Sequence, residues 1–357
     1  MSWTIVTYNC HVSLTVKSTG FSKRFLTRGR ASFPSPLAQP VGSRFMNAAR
    51  SSCLRSTRAG AGALAAGRLD WDRDGQDWPN REASFFIHAS GFRWHVQRMG
   101  AGPILLMAHG TGASTHSWRD LAPLLSEHFT VVAMDLPGHG FTEQPPRGRY
   151  SLSGMAVALG DLLVALDLRP DFAVGHSAGA AVLARMCLDG AIAPRELVSL
   201  NGAFIPFGGA QGRLFAPMAK ILAEFSVVPR FFAWNANDPA VVERLLRSTG
   251  STLDARGTEL YRRLARNPGH LGAALQMMAN WDLGALLRDL PGLAVPLTLV
   301  VGLRDGTVKP GEAHKVRAIL PGATIHALPG LGHLAHEERP AELADLLVQR
   351  WRLRTAS

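Results

Sequence analysis

From residue 84 onward, short apolar runs alternate with segments of helical spacing, and this alternation constrains the fold more than any other feature. "PILLMAHG" (103–110) and "FTVVAMD" (129–135) are continuous apolar runs, as expected of strands that are buried on both faces. Such strands, alternating with helices, predict an α/β fold with a mainly parallel central sheet flanked by helices. The other runs of this kind are "DFAVGHS", "ELVSLNG", "PLTLVVG" and "ATIHALP".

Two stretches depart from the alternation. "SFFIHAS" and "FRWHVQRMG" are separated only by Ser90-Gly91, which predicts a hairpin near the start of the folded body. Residues 205–290 hold several helical runs and no clear strand. An all-helical insertion between strands of such a sheet predicts a cap over the strand ends. The predicted organisation is a core of residues 70–204 and 291–357 with a helical cap of residues 205–290.

The first 69 residues differ from the rest of the chain in charge. They hold ten Lys or Arg and no Asp or Glu, whereas the remainder holds 28 basic and 27 acidic residues. The extension therefore carries nearly all of the formal charge of +11, and the nearly neutral body gives no argument for nucleic-acid binding. Its Ser-, Arg- and Gly-rich composition without periodicity predicts that residues 1–69 are poorly ordered. A transit peptide and a later translation start, for instance at Met46, are both open interpretations.

The sequence carries no signal for a membrane span or a metal site. No apolar run reaches the ~18 residues of a membrane span, and no signal-peptide core is evident. The three cysteines, Cys10, Cys53 and Cys187, have neither metal-site nor disulfide spacing, which fits a reducing compartment. We therefore expect a cytoplasmic protein with no transmembrane span, no metal and no cofactor.

The motif Gly-His-Ser-Ala-Gly (175–179) lies between an apolar run and an Ala-rich helical run. A sharp strand-to-helix turn would expose the hydroxyl of Ser177 at the carboxyl edge of the sheet, and Gly175 and Gly179 would leave room for that turn. The N–H of Ala178 would then lie at a helix N-terminus, where an oxyanion can be held. A tight turn needs glycines whatever its function, so the motif requires catalytic partners to carry weight.

Those partners must follow in the order acid, then His. Asp305 comes just after the run "PLTLVVG", and His333 lies in a Gly-rich loop after "ATIHALP". Carboxyl ends of strands are where open α/β sheets bind ligands. We predict that His333 takes the proton from Ser177 and that Asp305 orients His333.

Alternatives exist for both partners. Asp305 precedes Gly306, so it could serve only to form a turn. His336 could be the base, but its position beside "EERP" favours a solvated or capping role. The end of "ELVSLNG" offers a competing acid position, yet the residue there is Asn201, which carries no charge.

A second oxyanion donor is expected from the loop "HGTGASTHSW" (109–118), which follows an early buried strand. Gly110 would let the backbone approach a ligand, and the N–H of Thr111 is the predicted donor. Taken alone, such a loop is equally well explained as a simple turn. "DLPGHG" (135–140) is interpreted as a structural turn that shapes the floor of the pocket, and His176 is expected to pack beside the site.

The chain resembles the α/β-hydrolase superfamily with a helical cap over residues 82–352. The resemblance implies an α/β-hydrolase fold and a Ser-His-Asp triad. The matching pieces are His109-Gly110 with Trp118, the turn 135–140, the motif 175–179, Asp305, and Gly332-His333 with Pro340.

Within that superfamily, residues 70–352 resemble the magnesium chelatase accessory proteins of bacteriochlorophyll synthesis. This resemblance implies a role near magnesium insertion into protoporphyrin IX, and it names a pathway rather than a reaction. Residues 1–69 depart from that family, which favours a later start or a dispensable tail. The matching segments are "DWPNREAS", "RWHVQRMG", "HGTGASTHSWRDLAPLL", "DLPGHGFT" and "GHSAGAAVLARM".

Two functions follow as hypotheses. The first is a serine hydrolase of an apolar ester or similar acyl group, since the insertion is rich in Phe, Met, Trp and Leu. The second is a non-catalytic protein that binds a porphyrin or contacts the magnesium chelatase, with an idle triad. A tetrapyrrole ligand follows from the resemblance alone. A further hypothesis that the triad leaves open is cofactor-free haloperoxidase or lyase chemistry.

Overall fold

The computed structural model describes residues 6–8, 11–13, 67–146, 149–206 and 227–356. The chain divides into two units, Met1–Ala63 and Leu64–Ser357. In the first unit, strands β1 (Val6–Tyr8) and β2 (His11–Ser13) pair in antiparallel fashion. The remainder of that unit, and with it most of the extension predicted to be poorly ordered, lies outside the described residues.

The second unit is built on an eight-stranded sheet with the order β10-β9-β8-β7-β5-β6-β4-β3. All neighbouring strands are parallel except β4, which is antiparallel to both β3 and β6. The predicted, mainly parallel sheet is therefore confirmed. Its strands are β3 (Ser84–Ala89), β4 (Phe92–Met99), β5 (Ile104–Ala108), β6 (Thr130–Met134), β7 (Phe172–His176), β8 (Leu197–Leu200), β9 (Leu297–Gly302) and β10 (Thr324–Leu328).

Helices cover both faces of the sheet. The helices of the core are α1 (Trp71–Asp74), α2 (Leu121–Ser126), α3 (Leu152–Ala165), α4 (Ala178–Leu188), α10 (Gly311–Ile319), α11 (Ala335–Glu338) and α12 (Pro340–Thr355). The helices between β8 and β9 are α5 (Val227–Asn235), α6 (Pro239–Ser248), α7 (Ala255–Ala265), α8 (Pro268–Ala279) and α9 (Gly284–Asp289).

Burial explains the central strands. Every residue of β6, β7 and β9 is buried. Their apolar side chains alternate between two core clusters, one with α3 and α4 and the other with α2 and α12. A fully buried Leu, Val or Phe contributes about 1.5–3 kcal/mol, so continuous apolar runs are stable only between two helical layers. The predicted hairpin is also present, since Ser90 and Gly91 take positive φ angles of 55° and 84° between β3 and β4.

Three helices of the insertion begin at residues that favour a helix start. Asp238, Asp254 and Asn267 accept backbone N–H groups at the starts of α6, α7 and α8. In α6 and α8 a proline occupies the first turn, where its missing N–H costs nothing. The described part of residues 205–290 contains helices and no strand, as predicted. One further run of helical spacing in this stretch, "RLFAPMAKILAEF", lies outside the described residues.

Gly179→Ala is expected to lower the free energy of unfolding by about 3 kcal/mol, because overpacking backbone against backbone cannot be relieved by rotating a side chain. A Cβ on Gly179 would lie 2.2 Å from the carbonyl oxygen of Ala108 on β5. Gly160→Ala in α3 is the matched control, since its Cβ would meet nothing closer than 3.9 Å. That control should be neutral or stabilising by up to about 1 kcal/mol. Urea denaturation of both variants measures the difference, and equal midpoints would contradict the prediction.

Candidate active site

Ser177 occupies a strained turn between β7 and α4. Its φ of 51° and ψ of −117° are rare for a residue with a side chain, and such a conformation costs about 1–3 kcal/mol. Three backbone hydrogen bonds maintain the turn: Ser177 N–H donates to the Leu200 carbonyl at 3.0 Å, and Ser177 O accepts from Ala180 and Ala203. Gly175 leaves room for the turn, because a Cβ there would lie 2.4 Å from Ala180 Cα. Ser177 thus lies in a sharp strand-to-helix turn, and its role as a nucleophile stays a prediction.

The loop after β5 lies against this turn. A Cβ on Gly110 would be 3.0 Å from Ser177 Cβ and 2.9 Å from His176 Nδ1, so only a glycine fits there. Thr111 follows directly, and its hydroxyl donates to Met277 Sδ of α8 at 3.3 Å. Ala178 opens α4, where the first N–H groups have no acceptor within the helix. Both predicted oxyanion donors therefore belong to segments that adjoin Ser177.

Asp305 and His333 form a buried pair. The distance between His333 Nδ1 and Asp305 Oδ2 is 2.7 Å, and the two residues are each 6% exposed. The second carboxylate oxygen, Oδ1, accepts the N–H groups of Thr307 at 2.7 Å and Val308 at 2.9 Å. Asp305 thus forms a turn and pairs with His333 at the same time, so the two interpretations of this residue do not compete.

The loop that carries His333 contacts His176, the residue before Ser177. The rings of His176 and His333 are 4.7 Å apart between centroids, and His176 Nε2–H donates to the His333 carbonyl at 2.9 Å. His176 therefore packs beside the site, as expected. Within the described residues no hydrogen bond joins Ser177 Oγ to His333 Nε2; such contacts commonly tighten only when a substrate binds.

Asn201 is a residue whose role sequence reasoning missed. It follows β8 with a φ of 48°, and its side-chain amide donates to the carbonyls of Gly332 and His333, both at 2.8 Å. Its amide oxygen accepts the N–H of Gly302 at the end of β9 at 2.7 Å. One buried side chain thus ties two strand ends to the loop of His333. The positive φ tolerated by an Asn before Gly202 was the available sequence signal.

The expectation that His336 is solvated is wrong. His336 is 1% exposed, and its Nε2 lies 2.8 Å from Ser117 Oγ. That hydroxyl donates to Glu337 Oε1 at 2.6 Å, and Glu337 also accepts from Tyr261 and Arg119. His336 and Glu337 both belong to α11 and are buried, which local sequence does not reveal. His336 is engaged with Ser117, whereas His333 Nδ1 lies against the carboxylate of Asp305.

The turn 135–140 and the loop after β5 are joined by hydrogen bonds, consistent with a structural interpretation of the turn. Asp135 accepts the N–H of Thr115 at 2.7 Å through Oδ1, and its Oδ2 lies 2.8 Å from His95 Nδ1. His270 of α8 accepts the N–H of Gly140 and donates to the carbonyl of Gly112 at 3.1 Å. The helical insertion is therefore in direct contact with the loop of Thr111.

Acid is expected to destabilise the fold steeply, because burial holds several histidines neutral. Burial lowers the pKa of His270 to about 4 and that of His336 to about 3, and it lowers the pKa values of His116, His139 and His176 well below the ordinary 6.5. Between pH 6.5 and 4 the unfolded chain binds more protons than the folded chain. The free energy of unfolding therefore decreases as the pH is lowered through that window, by up to about 1.4 kcal/mol per pH unit for each histidine.

Urea denaturation at pH 6.5, 5.5 and 4.5 measures this slope. His270→Gln should reduce the slope by roughly one proton. The control His314→Gln alters an exposed residue of α10 and should leave it unchanged. A stability that does not vary across this range would contradict the prediction.

Comparison with known proteins fixes the family. The model of the alpha/beta hydrolase family matches residues 105–346. The chain belongs to the α/β-hydrolase family. This match includes the strained turn of Ser177, the Asp305–His333 pair and the helical insertion. The predicted fold class is thereby confirmed.

Relatives within the α/β-hydrolase family carry different names. The magnesium-chelatase 30 kDa subunit of Rhodobacter capsulatus is 37% identical over 278 residues, which cover 76% of this chain and 95% of that protein. A pimeloyl-[acyl-carrier protein] methyl ester esterase of Methylococcus capsulatus is 30% identical over 70% of this chain and 95% of its own length. The crystal structure of an alpha/beta hydrolase fold protein from Burkholderia ambifaria superposes with a TM-score of 0.64 at 22% identity, covering 75% and 98% of the two chains.

The residues that the structure describes contain no group of three or more His, Cys, Asp or Glu side chains that could hold a metal ion. Across the same residues, no helix combines the length and the apolar character needed to cross a membrane. The expectation of a protein without a cofactor stays a prediction.

Proposed function

We propose that this chain is a serine hydrolase that cleaves an apolar ester or a similar acyl substrate. The observation that carries the proposal is the buried pair of His333 and Asp305, whose Nδ1 and Oδ2 are 2.7 Å apart. The loop of His333 is bonded to His176, which precedes Ser177 in its strained turn. A carboxylate on Nδ1 keeps the proton on that nitrogen, which leaves Nε2 as the acceptor for a serine proton. The esterase relative is consistent with this chemistry.

The proposed reaction proceeds in two halves. His333 Nε2 takes the proton of Ser177 Oγ as that oxygen bonds to the acyl carbon, and the N–H groups of Thr111 and Ala178 hold the oxyanion. The alcohol leaves with the proton from His333, and the acyl group remains on Ser177. Water then attacks with His333 again as the base, releasing the acid and restoring the serine. Asp305 stabilises the imidazolium in each half.

The apolar character of the substrate is inferred from the helical insertion, which we propose to be the cap. Met277 and Ala273 of α8 are fully buried, the first against Thr111 and the second beside Gly138, where a Cβ would lie 2.7 Å from Ala273 Cβ. These two side chains therefore give the insertion an apolar contact with the loops beside Ser177, while His270 of the same helix bonds to Gly112. An acyl chain without charge suits such surroundings.

A second function is favoured by the magnesium-chelatase relative at 37% identity. Under this proposal the chain acts near magnesium insertion into protoporphyrin IX in the cytoplasm. It would bind a tetrapyrrole or contact the chelatase, and its triad would be idle. The two functions differ in whether the pathway requires the hydroxyl of Ser177.

One pair of experiments tests the proposal and separates the functions. The purified protein is treated with a fluorophosphonate probe beside Ser177→Ala, and the modified peptide is identified by mass spectrometry. Labelling at Ser177 alone is expected; the absence of labelling that depends on Ser177 would contradict the hydrolase. Pigment synthesis is then restored in a deletion strain with either form. Full rescue by Ser177→Ala would favour the second function.

A further inference from the structure

A short turn of the helical insertion lies between the two loops that carry the proposed acid and base. This bridging turn, Thr249–Thr252, follows α6. On the side of the base, the carbonyl of Thr249 accepts the N–H of His333 at 3.2 Å. The hydroxyl of Ser251, a residue only 2% exposed, accepts the N–H of Leu334 at 2.8 Å. The bridging turn therefore contacts the backbone of the base itself and of its neighbour.

The same turn contacts the acid loop. The carbonyl of Thr249 also accepts the N–H of Gly306, the residue after Asp305, at 3.0 Å. One carbonyl oxygen thus binds the backbone of both partner loops. Gly250 has a φ of 82°, and a Cβ there would lie 1.8 Å from the carbonyl oxygen of Arg304, so the residue has no room for a side chain.

Contacts at Gly332 show how closely the bridging turn approaches the base loop. A Cβ on Gly332 would lie 2.3 Å from the carbonyl carbon of Gly250 and 2.4 Å from Ser251 Oγ. Glu338 adds a further link, because its Oε1 accepts the N–H of Gly332 at 2.8 Å and its Oε2 accepts the N–H of Thr252 at 3.3 Å. Backbones packed this closely cannot shift independently of one another.

We infer that the bridging turn is a positioning element that sets His333 and Asp305 relative to Ser177. The cap would then do more than enclose substrate: a displacement of α6 or α7, which flank the turn, would move the base and the acid together. The inference rests on the proposed function, since it assigns a purpose to the geometry of that triad. A misplacement of about 1 Å can reduce a rate a hundredfold, so small movements of this turn would matter.

Ser251→Ala tests the inference, with Ser248→Ala as the matched control. Ser248 lies at the end of α6, and its hydroxyl donates only to the carbonyl of Leu245. Two readouts are used: the rate of fluorophosphonate labelling, and the NMR signal of the proton between His333 Nδ1 and Asp305 Oδ2, assigned by its loss in His333→Gln. In Ser251→Ala we expect labelling about tenfold slower and a shifted proton signal. For an ester substrate kcat should fall while KM stays unchanged.

The outcomes are distinguishable. Wild-type signal position and labelling rate in folded Ser251→Ala would overturn the inference. If the wild-type protein is not labelled, the proposed function fails, and the proton signal still decides whether the turn positions His333. If Ser251→Ala does not fold, Glu338→Ala takes its place, with exposed Glu342→Ala as control. An unmoved signal in Glu338→Ala would then overturn the inference.

Discussion

Replacing Ser177 with alanine should reduce the kcat for hydrolysis of a p-nitrophenyl ester by at least about a thousandfold, since removal of a triad serine leaves only the contributions of binding and the oxyanion donors. The fold should survive. The side chain of Ser177 makes no capping hydrogen bond to α4, so its removal costs that helix nothing. Thermal unfolding within a degree or two of wild type, together with the lost activity, is the expected result.

Ser126→Ala is the control for this experiment. Its hydroxyl bonds to the carbonyl of Pro123 within α2, and the change should leave kcat intact. If Ser177→Ala retained a tenth or more of the wild-type kcat, the nucleophile would have to be another group. The proposed reaction would then be wrong even if the triad geometry stands.

Asp305→Asn should lower kcat by about ten-thousandfold through the wrong histidine tautomer. The carboxylate oxygen Oδ1 is fixed by the N–H groups of Thr307 and Val308, so the amide oxygen of an asparagine would keep that place. The amide N–H₂ would then face His333 Nδ1 and force it to accept. The remaining proton moves to Nε2, which can no longer take one from Ser177.

Asp282→Asn is a matched control, because Asp282 also accepts a backbone N–H, that of Gly284 at 2.8 Å, but lies on an exposed turn. Its activity and stability should equal those of wild type. Activity of Asp305→Asn within tenfold of wild type would mean that Asp305 only forms its turn. If Asp305→Asn loses both folding and activity, the NMR signal of the His333 proton in the soluble fraction distinguishes a changed tautomer from a lost fold.

The sheet and the order of site residues were predictable because both are local patterns. A buried parallel strand must be apolar throughout, and the side chains that follow strand ends in such a sheet meet at one edge. Ser177, Asp305 and His333 each follow such a run, so three separate local signals converge on one place. The helix α5 was not singled out in the sequence, and it carries Pro229 in its first turn, where a proline is tolerated.

The supports of the site were not predictable from local sequence. Asn201 contacts residues more than 100 positions away, and His333 bonds to Thr249 across 84 positions of chain. Such contacts depend on how the helical insertion and the sheet meet, and no periodicity records that. The inward position of His336 has the same origin, since it depends on a hydroxyl at Ser117.

Asn201 also restricts how this active site could change over generations. A carboxylate at the tip of β8 would be near the base, and a single nucleotide change can convert asparagine to aspartate. At that position, however, the new carboxylate would lie against the carbonyl oxygens of Gly332 and His333, which accept N–H groups from the asparagine amide. In the proposed triad, the acid could move from Asp305 to this strand only if the loop of His333 turned over as well. A lineage that keeps this amide would therefore keep the proposed acid at Asp305.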